Sequence, residues 1–361
     1  MNMLKYTRCA QRVYDHKIFG GIVLGFCFVF LPVFSSLLFG TSPFDLKQNI
    51  VVTTKKIVFK DFPEAFNPSI VKINEGFAFT FRYTPYRDGH ISYIGIAMLN
   101  DALELISPPE LLITRHRNSI TPSQSEDARI FSYRGRLFVI YNDNTEVIGP
   151  MSYDRRDMFV AEVFYTDNHF SLSPPLKLFC NEKSYQLWQK NWVPFEWNNI
   201  LYLGYTIDPH EVLYLNLTNG QCYPAHMTNS IIDWDYGTLR GSSAATLVDG
   251  KYLAFFHSGA IMASPASSGM DAWHYFMGAY TFSPDPPFEI MQVSPSPVVG
   301  KGFYDQSPSW KKVIFPGGYV VLESHIYLAY GRNDSEMWVA ILDKKALMSS
   351  LIDVKNGRLS N

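Results

Sequence analysis

From Asn67 onward the chain repeats one pattern of polar and apolar positions: a polar opening, an apolar strand, a tight turn and a second apolar strand. Short runs of Val, Ile, Phe and Tyr, bounded by turn residues, predict strands and hairpins rather than helices. The copies open with Asn67-Pro-Ser-Ile-Val, Glu126-Asp-Ala-Arg-Ile, Lys190-Asn-Trp-Val-Pro and Arg240-Gly-Ser-Ser-Ala, with a looser fifth copy running from Gln306 through Val313-Ile-Phe-Pro-Gly-Gly. Their starts lie about 50 to 70 residues apart, enough for a four-stranded blade and its connections. The prediction is an all-β domain over residues 61–354, a five-bladed β-propeller, with one short helix near Lys344–Ile352. Innermost propeller strands line a central channel, so the polar openings belong together at one of its mouths. Asn67, Glu126, Asp127, Lys190, Asn191 and Arg240 are thereby expected in a common funnel. Neighbours on a strand point to opposite faces, so only one of Glu126 and Asp127 is expected to enter it.

Upstream, the pattern changes. Ile18 to Gly40 is a run of 23 residues without a charge, against the roughly 20 that cross a bilayer. It exceeds the apolar stretch of a cleaved signal, typically about 7–15 residues, and predicts one transmembrane signal-anchor helix. Lys5, Arg8, Arg12 and Lys17 precede it, which predicts a cytosolic tail over residues 1–17 and a lumenal or extracytoplasmic domain. Residues 41–60 read as a linker and 355–361 as a C-terminal tail.

Of the four cysteines, Cys9 falls in the tail and Cys27 in the apolar run. Cys180 and Cys222 are left in the domain, as one disulfide or as two buried thiols. Over all 361 residues, 31 Lys and Arg face 33 Asp and Glu. That near balance gives no field for nucleic acid or acidic lipid, so any anion site is local. Aromatic residues make up 16% of the chain, which suits a strand-rich core and sugar stacking alike.

A carboxylate among basic and amide groups can serve as general acid or base, and Asp127 is the candidate. Arg115, Arg117, Arg129, Lys190, Arg240 and His257 supply the donors that a phosphate needs. Metalloprotease, Cys-x-x-Cys, Gly-x-Ser-x-Gly and glycine-rich phosphate-loop patterns are absent from the sequence. Asp233-Trp-Asp235 has the Asp-x-Asp form of metal-dependent sugar transferases, without their alternating αβ context; no metal site is expected.

Ser125-Glu-Asp-Ala-Arg-Ile-Phe, Lys190-Asn-Trp-Val-Pro-Phe, Leu239-Arg-Gly-Ser-Ser, Phe256-His-Ser-Gly and Tyr330-Gly-Arg-Asn-Asp334 follow one another along the chain. In that order they resemble the mannoside phosphorylases and hydrolases of glycoside hydrolase family 130, and the related β-1,2-mannosyltransferases and phosphorylases of glycosyltransferase family 108. The resemblance implies that Asp127 is the acid/base residue. Asn67 and Asp334 would contact the sugar, and Lys190 and His257 the phosphate or the acceptor side. Glu126, Arg129, Asn191, Arg240 and Tyr330 lie in or beside the same motifs and join the substrate-binding set. Ala128 stands where the family has proline, Arg240-Gly-Ser-Ser replaces a Gly-Gly-Thr-Pro-like segment, and Arg332 and Asn333 replace small residues. The implied co-substrates are inorganic phosphate, mannose 1-phosphate or GDP-mannose, with a glycan as partner and no resident cofactor. An inverting hydrolase needs a second carboxylate to activate water, and the motifs assign none. Phosphorolysis or glycosyl transfer with inversion at a β-mannoside is therefore the leading expectation. An inverting hydrolase and a non-catalytic glycan-binding propeller are the alternatives.

Overall fold

A computed structural model of the chain describes residues 48–86, 91–115, 123–146, 155–264, 267–304 and 312–356. The predicted membrane helix at residues 18–40, the cytosolic tail, Arg117 and Gln306 lie outside them. Among the described residues no helix is long and apolar enough to cross a membrane.

The repeats form the five blades of one propeller. Blade one is Phe66–Ile73, Gly76–Tyr83, Tyr93–Leu99 and Glu110–Leu111, antiparallel in that order. Blade two follows as Glu126–Tyr133, Arg136–Glu146, Arg155–Thr166 and Leu176–Lys177, with His169–Leu172 pairing beside the third strand. Blade three is Val193–Trp197, Ile200–Thr206, His210–Leu215 and Cys222–Thr228. The innermost strand of blade four is split into Arg240–Gly241 and Thr246–Val248; Lys251–Ala263, Asp271–Phe282 and Ile290–Val293 follow, edged by Ile352–Asp353. Blade five is Ile314–Leu322, His325–Arg332 and Glu336–Asp343, and its outermost strand is Val51–Ile57. The expected short helix forms at Lys344–Ser350, where the Asp343 side chain accepts a hydrogen bond from the Ala346 amide at 2.7 Å.

The strand Val51–Ile57 falls in the stretch read as a linker, and that reading is corrected. Its residues, VVTTKKI, bury only Ile57, because the outermost strand of a blade touches little beyond one neighbour. It pairs with Glu336–Asp343 over its length, so the first strand of the domain completes the last blade and closes the ring. Ile57 and nearby Phe59 pack between blades five and one.

The core lies in the seams between blades. Phe77, Phe79 and Phe81 face blade five, where Ala329 and Val339 meet them. Ala78, one step out of phase, faces Ile130 and Val139 of blade two. This is period-two alternation with both faces covered, and it explains the nearly continuous apolar runs. Blades two and three pack through Ile140 and Leu203, three and four through Phe195 and Phe282, and four and five through Phe255 and Leu328. Cys180 and Cys222 are both buried free thiols in the seam of blades two and three. Both are free, which is the two-thiol alternative, and burial pushes their pKa values up, to about 11 and about 12 respectively.

Candidate active site

The polar openings of the repeats meet at one mouth of the channel. They line a cavity of ≈ 760 Å³ that includes Asn67, Glu126, Asp127, Lys190, Asn191, Arg240, His257 and Asp334. Four of these lining residues adopt the left-handed backbone conformation: Asn67 (φ 47°), Asp127 (φ 53°), Asn191 (φ 65°) and Asp334 (φ 52°). Asn and Asp are the residues with side chains that tolerate it best. At Asn67 and Asp127 the conformation coincides with a break in strand register, between Phe66 and Ser69 and between Glu126 and Arg129. An extra residue of this kind bends the strand and re-aims its side chain. Simple alternation therefore fails here, and Glu126 and Asp127 both face the cavity, contrary to the expectation that one of them would not.

Asp127 is held by an amide and a guanidinium. Its Oδ1 accepts a hydrogen bond from Asn67 Nδ2 at 2.9 Å and lies 3.6 Å from Arg82 Nη1. Burial alone would raise its pKa, but Arg82, Arg129, Lys190 and the Asn67 bond outweigh burial and hold the carboxyl below its ordinary range. Glu126 is tied down on both oxygens, by Arg82 Nη2 at 3.0 Å and Arg156 Nη1 at 3.2 Å on Oε1, and by Lys190 Nζ at 2.7 Å on Oε2. It too is pulled down: burial opposes ionisation, and Arg82 leads the cations that overcome it.

Arg129 lies beneath the cavity, fully buried. Its Nε donates to the Ser242 carbonyl at 2.6 Å and its Nη2 to Asn191 Oδ1 at 2.9 Å. Burial lowers even this guanidinium, to about 10. Ser242 Oγ in turn lies 2.6 Å from His257 Nδ1, so Arg129 positions groups of blades three and four and does not line the cavity. Burial first, then Arg129, Arg240 and Lys190, drive His257 well below its ordinary pKa and keep it neutral.

Besides Arg129, two expected members are placed elsewhere. Tyr330 is 1% exposed and packs on Phe303 at 4.8 Å between ring centroids. Alternation along His325–Arg332 turns it with Leu328 into the seam with blade four. Arg115 pairs with Asp143 at 2.9 Å and does not border the cavity, and Asp233 and Asp235 are exposed outside it. Arg82, Arg156 and Trp188 were not anticipated. Arg82 is the next-to-last residue of the second strand of blade one, Arg156 the second residue of the third strand of blade two, and Trp188 precedes the third repeat. The one signal for Arg82 is a charge closing the apolar run Phe77-Ala-Phe-Thr-Phe.

A ring of five blades with this polar mouth can be set beside solved structures. Its structural neighbours include enzymes described as acting on mannosides. One comes from work on the GH130 family of mannoside phosphorylases, which contains glycoside hydrolases that target β-1,2-mannosidic linkages in Candida mannan; it is 14% identical, with a TM-score of 0.57 over 82% of this chain and 87% of its own. A β-1,2-mannobiose phosphorylase from Listeria innocua, in complex with β-1,2-mannobiose, gives 15% and 0.54 over 85% and 95%. A mannose phosphorylase from Leishmania mexicana, in complex with phosphate ion, gives 12% and 0.53 over 86% and 94%. At these identities the likeness is one of fold. No protein-family model and no curated protein sequence matches the chain.

Two predictions arise at this site. Glu126 and Asp127 have folded pKa values below their ordinary 4.5 and 3.8. Their contribution to stability is thus present above the ordinary values and lost as pH falls through the folded ones. The melting temperature should drop steeply below about pH 4.5, and Glu126→Gln should melt lower at pH 7 but show a shallower acid limb; an acid limb as steep as wild type would contradict this. The second concerns Gly331, where a Cβ would sit 2.1 Å from Asn67 Oδ1 and 2.7 Å from its backbone nitrogen. Gly331→Ala should displace Asn67 from Asp127 and lower any turnover that depends on this carboxylate by about 10- to 100-fold, measured as initial rate on folded protein.

Proposed function

We propose that this propeller makes or breaks β-mannosidic bonds with inversion, as a phosphorylase or glycosyltransferase, with Asp127 as its acid/base. The observation that carries the reading is the charge around Asp127. Arg82, Arg129, Lys190 and Arg240 surround it, and the adjacent acid, Glu126, is occupied by three cations. Such a cluster suits an anionic nucleophile or leaving group, and the neighbours that act on mannosides share the fold.

In phosphorolysis a phosphate oxygen attacks the anomeric carbon, the bond to the leaving sugar breaks, and that sugar's oxygen takes the Asp127 proton directly or through a sugar hydroxyl. In synthesis Asp127 accepts the proton of the acceptor hydroxyl while phosphate or GDP departs. The depressed pKa of Asp127 leaves it ionised, as synthesis requires. A bound phosphate, free or carried by the donor, would offset the surrounding positive charge and bring Asp127 closer to the point at which it can both give and take a proton. Mannose 1-phosphate or GDP-mannose would serve as donor and a glycan as acceptor. The apolar run at residues 18–40 supports a membrane-tethered, lumenal or extracytoplasmic enzyme, a setting suited to glycan assembly.

Hydrolysis is the second reading, and Asp334 favours it as a further carboxylate on the cavity wall that can activate water. Phosphate dependence separates the two. A β-linked mannobiose should be cleaved in phosphate buffer to mannose and mannose 1-phosphate and remain intact without phosphate. Equal release of free mannose in both buffers would establish hydrolysis instead.

A further inference from the structure

We propose that Trp188 is a specificity-determining residue whose indole stacks on the sugar ring next to the one bonded at Asp127, so that the site prefers a disaccharide to a single sugar. This rests on the mannoside reading above. Trp188 borders the Asp127 cavity and is 58% exposed. The other aromatic rings on that wall are less available: Phe66 and Phe315 are 5% and 4% exposed, and Tyr275 stacks on His257 at 5.6 Å. An indole offers a flat apolar surface, and the C–H face of a pyranose is its natural counterpart.

The ring is held ready at both ends of its attachment. On the backbone, the Arg156 amide donates to the Leu187 carbonyl at 2.8 Å and the Gln189 amide to the Arg156 carbonyl at 2.9 Å, which bridges Trp188 to the edge of blade two. On the side chain, Lys190 Nζ lies 5.2 Å and Arg156 Cζ 6.0 Å from the ring centroid. Glu126 holds both of these cations, at 2.7 and 3.2 Å. Both cations are thus fixed beside the ring by one carboxylate, while more than half of Trp188 stays open to solvent at 58% exposure. Cation–π contacts of this kind favour one orientation of the ring. The same Glu126 therefore links the platform to the acid/base centre one residue away.

The test is titration calorimetry on protein carrying Asp127→Asn, which binds without turnover, using mannose and a β-linked mannobiose. Adding Trp188→Ala should weaken mannobiose binding by about 10- to 100-fold, the size of a lost aromatic stack, and leave mannose binding unchanged. Trp188→Phe should restore most of the loss. In the active enzyme Trp188→Ala should raise KM for the disaccharide more than it lowers kcat. Undiminished mannobiose binding by Trp188→Ala would overturn the assignment, and so would an equal loss for both sugars. If neither sugar binds the parent protein, the mannoside reading fails and the assignment fails with it.

Discussion

Asp127→Asn protein should fold normally and lose mannoside turnover by about 10³-fold or more, in both the synthetic and the degradative direction. The backbone reason for normal folding is that Asn, like Asp, accepts the left-handed conformation (φ 53°) that this position requires. The chemical reason for the loss is that an amide can neither give nor take the proton, and a positioned general acid or base is worth roughly 10²–10⁴-fold. Removing the carboxylate also leaves Arg82 without its 3.6 Å partner, though Arg82 keeps Glu126 at 3.0 Å, so the melting temperature should move by only a few degrees. Initial rates with product analysis, alongside a thermal melt, check both halves. Activity within tenfold of wild type would remove Asp127 from the chemistry.

A chain beginning at Gln48 should fold, and one beginning at Lys60 should not. The second lacks Val51–Ile57, which pairs with Glu336–Asp343 to complete blade five, together with Ile50, Ile57 and Phe59 of two blade seams. Burying a side chain of that size contributes about 1.5–3 kcal/mol, so three of them represent a large part of a typical net stability of roughly 5–15 kcal/mol. The edge of Glu336–Asp343 would also be left open to pairing with other chains. Circular dichroism and size-exclusion chromatography of the two truncated proteins decide the matter. A monomeric, cooperatively melting Lys60 protein would show that the ring closes without this strand.

The two expectations differ in how visible their causes are in the sequence. Five blades could be read because each inner hairpin carries its own apolar runs and turn, and both faces of those strands are covered, which makes the runs long and distinct. The closing strand could not, since VVTTKKI buries little and its partner lies some 280 residues away in the chain, as the pair Lys56 and Glu336 illustrates. Much the same holds at the site. Asn67, Asp127, Lys190, Asn191 and Arg240 were legible because the fold brings equivalent positions of successive repeats to one mouth, and Asp334 through the motif resemblance alone. Arg82 and Arg156 come from second and third strands, where a charge at a strand end looks like any other solvated residue. Tyr330 was misjudged because a motif beside the funnel does not show which of its side chains alternation turns into a seam. Glu126 and Asp127 required knowledge of the bulge, a backbone feature that the pair of acids did not reveal.

The bulge, the Asn67 bond and the surrounding cations all converge on a carboxylate that is ionised before substrate arrives. That arrangement implies a base ready to receive the proton of an incoming sugar. Nuclear magnetic resonance of a reaction containing a mannose acceptor with mannose 1-phosphate or GDP-mannose would follow donor and product together. A new β-linked mannoside is expected, formed with inversion and in step with release of phosphate or GDP; free mannose as the sole product, or no turnover of either donor, would contradict a role for Asp127 in mannosyl transfer.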